Sequence, residues 1–308
     1  MEASISLKSI SKKINEKTIL ADLSFGVEKG TRLAIVGAND SGKSTILKLL
    51  CGIVYKDKGS IYINGIDSGI HPVETKTITG YMPQEIDFDE ELTLIENIAV
   101  YGELYGLKTE DSYNNAIKIC QKLSINTYIY YKISNVPNSI LKIAMFARAI
   151  VHDPEILLLD EPTSNLGVQF REVIWTYIDN YCKNKTIVYS THNCNEAELH
   201  SDRIAILHEG TIKYIGNYEY LIENAKGLSQ YKIACKKNIN ENIIKDINLN
   251  PKIANPTIKD NFIIFYTVDK NEFYKILKQL IDLDICDLSS TQCTLDDILV
   301  KINNSNKE

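Results

Sequence analysis

The sequence predicts an α/β fold: a parallel sheet core, an antiparallel β subdomain, a helical subdomain and a small α+β domain at the C-terminal end. Three observations carry this. Short apolar segments at residues 32–36, 155–160, 186–191 and 203–207 are separated by stretches of helical periodicity, the pattern of parallel strands with crossover helices. A glycine-rich loop follows the first of these strands directly and opens a helix. The second strand ends in two adjacent carboxylates.

Taken in order, residues 5–10 and 20–27 alternate apolar and polar side chains and read as antiparallel strands with one face exposed. Glu28-Lys29-Gly30 is a turn into the strand 32–36, and residues 44–50 read as a helix. Residues 59–65 form a further strand between glycine turns. From about 86 to 150 the signal is helical, with Leu94, Ile98, Tyr101, Leu104 and Tyr105 recurring at helical spacing. Residues 1–225 are therefore expected to form one domain and 226–308 a small accessory one. The latter carries strands near 231–235 and 262–268. Phe273, Ile276, Leu277, Leu280 and Ile281 lie on one apolar helix face, a last helix is expected at 295–302, and 248–251 and 254–256 look turn-like.

The chain has 308 residues, 44% hydrophobic and 24% charged, with a net charge of −6, which argues against a general nucleic-acid binder. No apolar run approaches the ~20 residues needed to cross a bilayer, and Met1-Glu2-Ala3-Ser4 does not read as a secretory leader. The seven cysteines are odd in number and form no C-x-x-C pair, so reduced thiols in a cytoplasmic setting are expected. His192, Cys194 and His200 fit no common zinc spacing.

Gly37-Ala38-Asn39-Asp40-Ser41-Gly42-Lys43-Ser44-Thr45 fits the phosphate-loop pattern G-x-x-x-x-G-K-[ST]. Gly37 and Gly42 free the backbone to turn successive N–H groups inward, where the helix N-terminus completes a cradle for phosphate oxygens. Lys43 is expected on the β- and γ-phosphates, and the Ser44 hydroxyl on Mg²⁺. Ile156-Leu157-Leu158-Leu159-Asp160-Glu161 delivers two carboxylates to the C-terminal edge of a parallel sheet, where such folds bind ligands. Asp160 suits Mg²⁺, and Glu161 suits the orientation and deprotonation of an attacking water.

This order of motifs resembles the ATP-binding subunit of an ABC transporter over roughly residues 3–225. The resemblance implies a P-loop NTPase core of RecA-like type. Tyr81-Met82-Pro83-Gln84-Glu85 matches the family's glutamine, so Gln84 would contact Mg²⁺ and the lytic water. Tyr189-Ser190-Thr191-His192 matches its strand-end histidine, so His192 would bind the γ-phosphate and hold Glu161. Residues 92–98 and 105–107 resemble the helical subdomain of bacterial exporter-type members, and 294–299 their C-terminal extension. The resemblance further implies ATP with Mg²⁺ and a homodimer or a heterodimer with a second ATP-binding subunit. It also implies an integral membrane permease on a separate polypeptide, holding the chain at the inner face of the cell membrane, and a drug or antimicrobial peptide as cargo. A nucleotide-sensing regulatory protein with little hydrolysis is the alternative. A single phosphate loop argues against the tandem translation type, and the absence of long heptads against the coiled-coil DNA type.

The chain departs from the family at four places. The signature L-S-G-G-Q falls on Val136-Pro137-Asn138-Ser139-Ile140, ahead of the matching Ala147-Arg148-Ala149-Ile150. The serine and both glycines are gone, and Pro137 removes an N–H. The aromatic residue that stacks on adenine falls near Ile14. The turn after the acid pair reads Ser164-Asn165-Leu166-Gly167 and lacks the usual aspartate. Asp40 replaces a glycine inside the phosphate loop. These departures predict weak hydrolysis in a symmetric homodimer, and leave two arrangements: a heterodimer in which another subunit supplies a good signature, or slow ATP use within a homodimer.

Overall fold

Ile14 pairs with Lys17 at the tip of a long hairpin whose two loop residues, Asn15 and Glu16, have φ of 48° and 64°. Two consecutive positive φ angles match the twist of the flanking strands. That turn lets β1 (Ala3–Ile14) and β2 (Lys17–Glu28) run well past the shorter segments that the alternation marks. The computed structural model describes residues 3–224, 229–235, 247, 250, 252–259, 262–267, 270–280, 285–291 and 293–304.

The chain continues through β3 (Arg32–Val36), α1 (Lys43–Leu50), β4 (Lys58–Ile63), β5 (Ile66–Asp67), α2 (Pro72–Thr77) and β6 (Thr79–Met82). Three helices follow, α3 (Leu94–Leu104), α4 (Thr109–Lys122) and α5 (Asn138–Ile150). Next come β7 (Ile156–Asp160), α6 (Val168–Tyr181), β8 (Thr186–Thr191), α7 (Cys194–His200), β9 (Arg203–His208) and β10 (Thr211–Gly216). Two compact units divide at 215/216.

The first unit holds two sheets. The antiparallel sheet has the order β2-β1-β4-β5, and the six-stranded sheet the order β10-β9-β3-β8-β7-β6. β3 lies parallel between β8 and β9, and β7 parallel between β6 and β8. Every residue of β7 is buried, as a strand covered on both faces requires. Leu33, Ile35, Ile46, Leu47, Leu158 and Val188 share one core with the hairpin's Ile5 and Leu20.

α3 begins with a capping box: Thr93 Oγ1 accepts from the Glu96 N–H, and Glu96 Oε2 accepts from the Thr93 N–H at 2.7 Å. Its buried stripe runs through Leu94, Ile95, Ile98, Ala99 and Gly102. Leu104, at the expected helical spacing, instead falls off that stripe and is 73% exposed. α5 is buried from Ile140 to Ile150 and packs against α3, α4 and α6.

The second unit contains α8 (Tyr218–Asn224), β11 (Ser229–Cys235), β12 (Ile253–Lys259), β13 (Phe262–Thr267), α9 (Lys270–Gln279), β14 (Ile285–Thr291) and α10 (Leu295–Asn304). Its sheet is antiparallel, in the order β12-β13-β11-β14. Tyr231, Ile233, Phe265, Ile276 and Leu280 form its core, with Phe273 and Leu277 at the edge. Ala254, Asn255 and Pro256, read from sequence as a turn, lie within β12. The ladder slips between Ala254 and Thr257, which accommodates a proline that cannot donate to it. Val268, Ile281, Asn248, Leu249 and Pro251 lie outside the described residues.

Six of the seven cysteines are buried, and Cys286 is exposed. Burial pushes the thiols of Cys51 and Cys182 up to about 11 and that of Cys120 to about 12. Among the described residues no helix is long and apolar enough to cross a membrane.

Leu158 is fully buried in β7. Leu158→Ala is expected to lower unfolding free energy by about 3 kcal/mol in urea titrations. Val168→Ala, on a side chain 71% exposed, stays within about 0.5 kcal/mol of the parent.

Candidate functional site

The loop between β3 and α1 is built around two glycines that no other residue replaces without strain. A Cβ on Gly37 would sit 2.3 Å from the Leu207 carbonyl oxygen. Gly42, the N-cap of α1, has φ of 109°, and a Cβ there would meet Leu20 at 2.8 Å. Asp40 also takes a left-handed conformation, with φ of 61°, and is exposed. Its charge is therefore solvated, which limits the repulsion that an anion in this loop exerts on phosphates.

Lys43 is buried, and its ammonium donates to the carbonyls of Gly37 at 2.9 Å and Ala38 at 2.8 Å. Burial lowers its pKa, opposed by the charges of Glu161, Asp160 and Asp40. The first amides of α1 lack intrahelical partners and face this loop's end, as at any helix start. Ser41 Oγ is buried and has no hydrogen-bond partner among the described residues.

β7 ends at Asp160, whose Oδ1 accepts from Ser44 Oγ at 3.0 Å and from Ser190 Oγ at 2.6 Å. Ser190 Oγ in turn accepts from the Glu161 N–H at 2.9 Å. One β8 hydroxyl thus fixes both members of the acid pair. Glu161 leaves the strand with φ of 50° and its side chain is nearly buried. His192 Nδ1 stands 2.8 Å from Glu161 Oε2. Burial raises the Glu161 carboxyl above the ordinary carboxylate range, while His192 and then Lys43 oppose that rise.

These groups surround a cavity of about 470 Å³ walled by Asn39, Gly42, Ser44, Thr45, Gln84 and Glu161. Lys17 and Ile19 of β2 close its other side. Ile14, where the sequence reading looks for the adenine-stacking position, is 44% exposed at the hairpin tip and is not part of this wall. The hairpin register carries Ile14 past the site and brings the β2 residues to it.

Gln84 also borders a second groove, of about 370 Å³, with Asn138, Ser139, Ser164 and Asn165. Pro137 is the N-cap of α5, and no side chain caps that helix start. The loop bearing Gln84 is strapped to α5 at two points. Lys142 Nζ donates to the Gln84 carbonyl at 2.6 Å, and Arg148 donates to the Asp87 carbonyl. The Arg148 guanidinium lies 4.1 Å from the Tyr101 ring centroid and 5.0 Å from that of Phe88.

The fold therefore gathers Asn39, Asp40, Gly42, Lys43, Ser44, Thr45, Gln84, Asp160, Glu161 and His192 at one end of the parallel sheet. Gly37, Ala38 and Ser41 complete the loop beneath them. Sequence reasoning missed Lys17, Ile19, Ser190 and Lys142. Alternation along β2 puts Lys17 and Ile19 on one face, and that was the only signal for any of the four.

The sequence profile of the ABC transporter family matches residues 20–164. The linearmycin resistance ATP-binding protein of Bacillus subtilis is 30% identical over 68% of this chain and 68% of its own. A Nod factor export ATP-binding protein of Paraburkholderia xenovorans is 28% identical over 92% of each chain. Among solved structures, an ATP-binding subunit of an ABC transporter superposes with a TM-score of 0.66 at 24% identity, covering 71% of this chain and 92% of that one.

Removing His192 takes away the largest opposition to the raised Glu161 pKa. With Glu161 as a candidate general base, which works only when ionised, the acid-side fall of kcat in His192→Ala is expected at higher pH than in the parent. The maximal rate falls about 100-fold. Rate profiles between pH 5 and pH 8 measure both effects.

Proposed function

The chain belongs to the ABC transporter family, and on that premise we propose that it is the ATP-binding and ATP-hydrolysing subunit that powers export through a separate membrane permease. The observation that carries this reading is the Glu161–His192 contact of 2.8 Å beside the Ser44–Asp160 contact of 3.0 Å, both at the mouth of the phosphate loop. A pocket that only held nucleotide has no use for a carboxylate kept basic by burial and oriented by an imidazole.

In this reading the triphosphate lies along the amides of residues 37–45, with the Lys43 ammonium between the β- and γ-phosphates. Mg²⁺ fits the donor set: Ser44 and Asp160 offer hard oxygens, Gln84 borders the same cavity, and phosphate oxygens and water fill the remaining positions. When bound, it neutralises charge that builds on the phosphate oxygens. Glu161 takes a proton from the attacking water, and His192 holds Glu161 and the γ-phosphate in line. Lys17 and Ile19 supply the base-side wall, a cation and an aliphatic surface in place of a stacking ring.

Two subunits close on ATP and reopen after hydrolysis, and the permease receives that motion at the inner face of the membrane. Relatives named for linearmycin resistance and Nod factor export support an exported compound as cargo, and a drug or antimicrobial peptide fits that class. The groove at Asn138 and Ser139 favours weak turnover in a homodimer and a second ATP-binding subunit as the better partner. Asn138 and Ser139 keep their backbone N–H groups but add side chains where glycine lets the backbone approach closely, and Pro137 offers neither a hydroxyl nor an N–H. The same feature favours one other reading, a nucleotide sensor with little hydrolysis.

Purified full-length chain is expected to bind ATP with Mg²⁺ by calorimetry and to hydrolyse it slowly alone. Restoring the signature by Pro137→Ser with Asn138→Gly and Ser139→Gly is expected to raise kcat about 100-fold or more, the scale of one recovered oxyanion donor. Brisk turnover by the unaltered chain alone overturns the claim that the signature is impaired. Binding with no turnover in any partner combination selects the sensor.

A further inference from the structure

Glu196, on α7, is a buried carboxylate that the hydrolytic reading does not use. It is 7% exposed. Its Oε1 accepts from the Trp175 indole Nε1 at 3.0 Å and from the Thr163 hydroxyl, and its Oε2 accepts from Thr191 Oγ1 at 2.6 Å. Its N–H donates to Asn193 Oδ1 at 3.3 Å, and its carbonyl accepts from the Tyr189 hydroxyl at 3.2 Å.

The identities of these partners matter more than their number. Thr191 directly precedes His192, and Thr163 follows Glu161 across Pro162. One carboxylate therefore grips both segments that carry the 2.8 Å Glu161–His192 contact. The third partner is fixed: the Trp175 ring stacks on His200 at 4.2 Å and meets Tyr189 edge-on at 5.0 Å.

His192 needs such a grip. Its side chain is 61% exposed, so packing does not hold the ring, and its direction depends on the backbone of residues 191–193. Thr191 Oγ1 accepts from the Asn193 N–H at 3.0 Å while donating to Glu196. That pair of bonds fixes the chain on both sides of His192. A buried carboxylate left without donors costs several kcal/mol, so the three donors also have little freedom to leave it.

We infer that Glu196 is a positioning residue for the Glu161–His192 pair, clamping the segments that flank both side chains to the indole of Trp175. The inference rests on the reading of Glu161 as base and His192 as its partner. Glu196 touches no reacting atom and acts through Thr163 and Thr191.

The test uses the full chain, with kcat, KM, ATP affinity and thermal melting measured together. Glu196→Ala is expected to lower kcat about 30-fold while KM and ATP affinity stay within about threefold. Glu196→Gln keeps an oxygen for Trp175 and Thr163 and retains about a third of the parent rate. In the double variant Glu196→Ala/His192→Ala, kcat falls no further than in His192→Ala alone. Where the alanine variant does not fold, Thr191→Val, which removes one donor, is expected to lower kcat about fivefold with affinity unchanged. A folded Glu196→Ala with kcat near the parent's, or a double variant whose losses multiply, overturns the inference. A parent without turnover in any partner combination instead refutes the hydrolytic reading. In that case the imidazole carbon resonance of His192 in labelled protein decides. It is expected to shift or broaden in Glu196→Ala, and an unchanged resonance overturns the clamp.

Discussion

The register of three parallel strands is the constraint on which the site depends. Val36 pairs with Thr191, and Asp160 with Ser190, so the ends of β3, β7 and β8 finish level. The phosphate loop leaves one strand, the acid pair another and the histidine the third. Side chains alternate faces along a strand, so a slip of one residue in β7 would turn Asp160 away from Ser44 and Ser190. Ile156, Leu157, Leu158 and Leu159 are all fully buried, and their pairing with Thr186, Ile187, Val188 and Tyr189 sets Asp160 beside Ser190.

Much of this was legible in the sequence because each piece is local. The loop, the acid pair and His192 are short motifs whose residues are contiguous, and each sits at a junction that apolar periodicity marks. The departure from the family's signature rests on counting back from Ala147-Arg148-Ala149-Ile150, which closes α5. Ser190, Lys142 and Glu196 were not legible. Each gains its role from a partner far along the chain: Ser190 bridges Asp160 and Glu161, Lys142 reaches Gln84, and Glu196 reaches Thr163. Pattern reading does not resolve such pairs until strand order is known. Leu104 and the proline-bearing β12 failed differently. Helical spacing marks a stripe without fixing where it ends, and a bulge hides a strand from period-two reading.

The helical layer sets how the second half of the site behaves. Lys142 and Arg148 bind the loop bearing Gln84 to α5 through the loop's backbone carbonyls. The start of that same helix is where this chain has exchanged glycines for Asn138 and Ser139. Both keep their backbone N–H groups, but each adds a side chain where glycine lets the backbone approach a bound anion closely. On the proposed reading, a chain with its own hydrolytic groups in place and an altered face for its neighbour needs more from a partner than it returns.

The thiol inventory gives the chain a built-in attachment point. Six sulfurs are shut inside the two units, and burial keeps those of Cys51, Cys120 and Cys182 protonated at neutral pH. Cys286 on β14 is open. A maleimide fluorophore added to the unaltered polypeptide therefore reports from residues 216–308 alone, with no cysteine deleted beforehand.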